Sequence, residues 1–84
     1  MKKFSASVNG HLIEMEVSFW SGKERVHCDG QMVSEKRSLM YITAHSFKIL
    51  EQGEEVVYEV NILTGWGGYG YIIRRNGIIA AHKP

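Results

Sequence analysis

Apolar and polar residues alternate along most of this chain, and glycine-containing turn pairs cut the alternation into short pieces. His11–Trp20 is the clearest piece. Ile13, Met15, Val17 and Phe19 fall on one side, and Glu14, Glu16 and Ser18 on the other. A period of two is that of a strand with one buried face. The same pattern predicts strands at Lys3–Val8, with Phe4, Ala6 and Val8 together, and at Glu24–Asp29, with Val26 and Cys28 opposite Arg25 and His27. A fourth begins at Gln31 and carries Met32 and Val33. Further strands are expected at Ser46–Leu50, Glu55–Leu63 (Val56, Tyr58, Val60 and Ile62 on one face), Tyr69–Arg75 and Ile78–His82. Between them, Ser34–Ser38 reads as a polar edge strand, and Leu39–Thr43 as another short strand or a single helical turn.

The separators are Asn9-Gly10, Ser21-Gly22, Asp29-Gly30, Glu51-Gln52-Gly53-Glu54, the run Gly65–Gly70 and Asn76-Gly77. Asn-Gly and Asp-Gly supply the two positive φ angles that a tight hairpin needs. Short strands at this spacing imply an all-β fold, an antiparallel β-sandwich of about eight strands joined mainly by hairpins, ranked above a closed barrel. The Ile13/Met15/Val17/Phe19 face is expected to pack on Tyr58/Val60/Ile62 and Tyr71/Ile73. A chain of 84 residues implies one domain, burying about 60–65% of its unfolded surface. No internal repeat or linker is legible.

Charge changes the picture little. Ten basic and nine acidic residues leave a formal charge of +1, so nothing global steers the chain to nucleic acid or an anionic membrane. Cys28 is alone and forms no internal disulfide, which points to a reducing compartment, the cytoplasm. Phe4–Val8 is too short for the apolar core of a signal peptide, and no apolar stretch approaches the ~20 residues of a membrane span.

Candidate chemistry is sparse. Gly65-Trp66-Gly67-Gly68-Tyr69-Gly70 fits G-x-G-x-x-G, but strand follows it where a dinucleotide site needs a helix. It reads as a wide hairpin loop. Trp66, Tyr69, Tyr71, Arg74 and Arg75 mix aromatics with cations, as single-strand binders do. Arg74 and Arg75, however, are strand neighbours and point to opposite faces. His11, His27, His45 and His82 lack the spacing of a metal motif. Cys28 alternates with Val26 toward the apolar side, as a packed core thiol would. Glu14 and Glu16 share a strand face with nothing to supply a cleft. No catalytic residue, metal ligand or cofactor is therefore assigned. The candidate interaction surface is Trp20, Trp66, Tyr69 and Arg74, exposed aromatics with a polar neighbour. The expected partners are other proteins, neither membrane nor nucleic acid. The alternative is small-ligand or single-stranded nucleic-acid binding through the Gly65–Gly70 aromatic loop.

Several segments in order resemble the Fas apoptotic inhibitory molecule family. They are Ser21-Gly22-Lys23 … Val26-His27-Cys28-Asp29-Gly30, then Ser46-Phe47-Lys48-Ile49, then Tyr69-Gly70-Tyr71-Ile72 … Asn76-Gly77. The similarity spans about His11 to His82 and covers one repeat where members commonly carry two. Cys28 stands where the family usually has a branched apolar residue. The resemblance implies a compact β-sandwich of about eight strands. It also implies a non-enzymatic, intracellular protein that acts through protein contacts, in the control of cell death or in limiting aggregation.

Overall fold

A computed structural model describes residues 2–18, 20–37, 42–65 and 68–83. Eight strands account for nearly all of them: β1 Lys2–Val8, β2 His11–Val17, β3 Lys23–Cys28, β4 Gln31–Arg37, β5 Ile42–Glu51, β6 Glu54–Gly65, β7 Gly68–Arg75 and β8 Ile78–Lys83. There is no helix among the described residues, hence none long and apolar enough to cross a membrane. The strands form two antiparallel four-stranded sheets, ordered β1-β2-β3-β4 and β5-β6-β7-β8. These are two open meanders rather than one closed barrel, the all-β make-up expected of a sandwich. The chain divides into two compact units, Met1–Leu39 and Met40–Pro84, one sheet in each.

Four hairpins turn on residue pairs with positive φ at both positions: Asn9-Gly10, Asp29-Gly30, Gln52-Gly53 and Asn76-Gly77. This is the type I′ geometry, whose twist matches that of the strands it joins. Asn76 adds a clamp: its N–H donates to Val57 O (2.8 Å), and its Oδ1 accepts the Val57 N–H (3.0 Å). Asp29 does the same to Leu12, with 2.9 Å for both bonds.

In the first unit Phe4, Val8, Ile13, Met15, Val17, Val26 and Cys28 are buried, together with Glu24 on the same face of β3. In the second, Phe47, Val56, Tyr58, Val60, Ile62 and Ile73 are buried with Thr43 and His45. The inward faces named from alternation are thus the buried ones. Phe19, expected among them, lies outside the described residues.

Most strand limits lie within two residues of the expectation, and three differ further. β2 stops at Val17, and Trp20 sits in the following turn. β4 runs on through the polar stretch to Arg37. Ile42, Thr43 and Ser46–Leu50 belong to one ten-residue strand, β5, rather than to two; residues 39–41 lie outside the described ones. The physical reason is that Thr43 and His45 occupy inward positions, so a polar residue stands where alternation looks for an apolar one.

The structure also contains a repeat that the sequence hides. Each unit is a meander with type I′ turns between its first and second and its third and fourth strands. Buried residues correspond in order: Phe4 with Phe47, Ile13 with Val56, Met15 with Tyr58, Val17 with Val60, Val26 with Ile73. Each fourth strand is bulged at its third residue. His27 pairs with Met32 and Val26 with Ser34, leaving Val33 extra. Arg74 pairs with Ile79 and Ile73 with Ala81, leaving Ala80 extra. The identities differ almost throughout; turn, face and bulge are what recur.

Candidate functional site

Of the residues singled out from sequence, Trp20 belongs to the first unit and Tyr69 and Arg74 to the second. Trp20 lies in the β2–β3 connection, which is closed by Ser18 N–H to Lys23 O and Gly22 N–H to Ser18 O, both 2.9 Å. Its indole is 94% exposed. In the same unit, Glu16, Ser18, Ser21, Lys23 and Arg25 line a depression of about 180 Å³. Tyr69 is half-buried on β7 opposite Thr64, while Arg74 is opposite Glu59 and Ile79. An odd spacing along one strand puts Tyr69 and Arg74 on opposite faces. Trp66 lies outside the described residues. Arg75 shares the face of Tyr71, but its guanidinium is committed to Glu51.

That commitment is part of a polar knot within the second unit. The ring of Tyr58, fully buried, stacks on Phe47 with centroids 5.5 Å apart and planes 8° from parallel. Its hydroxyl donates to Glu51 Oε2. Arg75 donates to Glu51 Oε1 through Nε (3.0 Å) and through Nη2. Glu51, at the end of β5, is thereby tied to the middle of β6 and the end of β7. Burial, and then the Glu51 carboxylate, push the Tyr58 hydroxyl up to about 12. The Glu51 hydrogen bond also raises Arg75. The knot uses its polar atoms on one another, which is the geometry of a structural tie.

The outer face of the second sheet carries an unexpected apolar stripe. Ile42 pairs with Leu63, Ile72 is diagonal to Leu63, and Ile79 follows on β8. Ile42 is 59% and Ile79 53% exposed. Leu63, Ile72 and Ile79, with His82 and Lys83 on the rim, line a dent of about 310 Å³. Pattern reading missed it because Leu63, Ile72 and Ile79 lie on three different strands. The register that aligns them is not visible in any one segment.

A second cluster was missed for the same reason. His11 opens β2 and Cys28 closes β3; the Ile13–Cys28 pairing sets them diagonally on one face. Asp29, next in the turn, reaches across to accept a 2.6 Å hydrogen bond at Oδ2 from His11 Nδ1. Its Oδ1 takes the Leu12 N–H. These two bonds, His11 first, hold the Asp29 carboxyl below its ordinary value. Cys28 is buried as expected, yet its Sγ, a ring nitrogen of His11 and a carboxylate oxygen of Asp29 lie within 4.8 Å of one another. The signal was present in the turns: Asn9-Gly10 and Asp29-Gly30 mark the ends of adjacent antiparallel strands, so the residues flanking them meet.

No family model, no curated protein and no solved structure matches the chain.

Proposed function

We propose that the chain is a non-enzymatic protein-interaction module, resembling the Fas apoptotic inhibitory molecule family in the order of its hairpins. It works in the reducing cytoplasm, where a lone Cys28 stays a thiol. The supporting observation is the apolar stripe Ile42–Leu63–Ile72–Ile79, on a sheet whose other face already buries its core. A polar outer face is the rule for a half-buried antiparallel sheet, and contiguous apolar surface marks contact sites. Arg74 beside Ile79, with Lys83 at the rim of the dent, fits a protein partner that presents an apolar anchor flanked by a carboxylate. Trp20 is a second exposed anchor of the kind that dominates interface energetics.

The test is a photo-crosslinking residue placed at position 44, on the outer face beside Asn61 and one strand short of Ile72, in the producing cell. A discrete protein adduct is expected, and it should disappear when Ile79→Lys is added to a chain that still folds. Absence of an adduct, or one indifferent to Ile79→Lys, would overturn the reading.

A further inference from the structure

We infer that His11, Cys28 and Asp29 form a binding site for a thiophilic divalent cation of the zinc class. The donor set is one thiol, one imidazole and one carboxylate, and the three ligating atoms already lie within 4.8 Å of one another. Around a tetrahedral zinc ion, with bonds of about 2.0–2.3 Å, such atoms stand ~3.3–3.7 Å apart. The ion therefore asks for only small displacements. The His11–Asp29 pair, 2.6 Å apart as a hydrogen bond, would open as the ion replaces the shared proton. Sulfur and imidazole nitrogen together select zinc-like ions over magnesium and calcium, which want oxygen alone.

The support around the donors is in place. Leu12 N–H fixes Asp29 Oδ1, and Asp29 N–H bonds Leu12 O, so the carboxylate is oriented by backbone. Backbone support of this kind holds ligands in binding geometry. Cys28 and His11 sit on the ends of paired strands rather than on a loop. Asp29 is half exposed, which leaves a path for the ion and a fourth position for water or another ligand.

A comparison inside the molecule separates this site from the needs of the turn. The second unit builds the same turn and the same two backbone-directed bonds with Asn76 and Val57. Counted from the cross-strand pairs Ile13–Cys28 and Tyr58–Arg75, the places of His11, Cys28 and Asp29 are taken there by Val56, Arg75 and Asn76, two residues further along β6 than the match made from the first turn, which sets Ile13 with Val56. An amide suffices for the clamp. The carboxylate, the thiol and the imidazole are additions that the fold itself does not require.

Cobalt(II) titration of the full chain tests the site. A thiolate-to-cobalt charge-transfer band and tetrahedral ligand-field absorption should appear, saturate at one ion per chain, and vanish on adding zinc. Cys28→Val should abolish the band, and His11→Gln and Asp29→Asn should each weaken binding at least ~10-fold. Asp29→Asn keeps the turn as Asn76 does, so its folded circular dichroism should match that of the parent chain. No charge-transfer band in the parent chain overturns the proposal. So does a band unchanged in both His11→Gln and Asp29→Asn, which would mean a lone thiol capturing cobalt. Binding that survives Cys28→Val in full would mean surface histidines only, and would overturn it equally.

Discussion

Asn76 shows how much one side chain does in a protein of this size. It accepts φ 51, a left-handed backbone that β-branched and bulky residues avoid, and its amide oxygen takes the Val57 N–H. Asn76→Ala loses the acceptor and strains the turn, for an expected loss of about 1–2 kcal/mol. The check is a lower urea midpoint at unchanged slope. Tyr58 carries a different load. Its proton is donated to Glu51 beside Arg75, and losing that proton would set a phenolate against the carboxylate. The folded hydroxyl titrates at about 12 against an ordinary value of 10.0. A value raised by folding adds stability that is fully present below pH 10.0 and is lost as pH rises through about 12. The loss should reach about 2–3 kcal/mol by the upper end of that window. Tyr58→Phe removes this pH dependence. It should also cost about 1–2 kcal/mol near neutrality, because Glu51 stays buried with one donor fewer. Urea midpoints of the two proteins, compared from neutral to strongly alkaline pH, should converge as Tyr58 ionises.

At the level of the element, the bulges decide which side chains face inward. Pairing in β8 runs Arg75–Ile78 and Arg74–Ile79, then skips Ala80 and resumes at Ile73–Ala81. Without the skip, Ala80 would take the position of Ala81 beside Ile73, and every residue beyond would change face. Bulges also twist an edge strand away from the regular ladder that another chain could extend. Deleting Ala80 keeps Arg74–Ile79 and Ile73–Ala81 in register and makes the ladder continuous, so β8 is expected to stay paired to β7 while presenting a straighter edge to a second chain. Hydrogen exchange should show the Ile72–Arg75 amides as protected as in the parent chain, and light scattering should show concentration-dependent association that the parent chain lacks. None of this was legible beforehand, because Ile78-Ile79-Ala80-Ala81 has no alternation to interrupt. β5 is the complementary case. Its turn pair and its Phe47–Ile49 alternation were readable, but Thr43 and His45 inward made one long strand look like two short ones. Where apolar residues held the central inward positions, as from Ile13 to Val17 in β2 and from Val56 to Ile62 in β6, the faces followed from period two alone.

For the whole molecule, class and strand count were legible because turn chemistry is local, whereas the candidate sites were not, because each is assembled by register. His11 and Cys28 meet only once β2 and β3 pair, and Leu63, Ile72 and Ile79 only once three strands align. The same dependence bears on nucleic acid, the alternative raised by the aromatic–basic segment. Units 1–39 and 40–84 are each nearly neutral: Lys2, Lys3, Lys23, Arg25, Lys36 and Arg37 meet Glu14, Glu16, Glu24, Asp29 and Glu35 in the first, and Lys48, Arg74, Arg75 and Lys83 meet Glu51, Glu54, Glu55 and Glu59 in the second. Register then sets many of these cations against carboxylates. Arg25 bonds Glu35 at 2.6 Å, Lys48 reaches Glu55 at 3.3 Å, and Arg75 holds Glu51. A phosphate backbone would have to displace these partners, while binding of single strands draws most of its strength from releasing counterions at unpaired cations. Tyr69 and Arg74, on opposite faces, also fail to offer one base and its phosphate a common platform. Tryptophan fluorescence should therefore stay unquenched when oligonucleotides are added at low salt. Quenching that weakens steeply as salt rises would reinstate the nucleic-acid reading, and Arg74→Gln would then locate it.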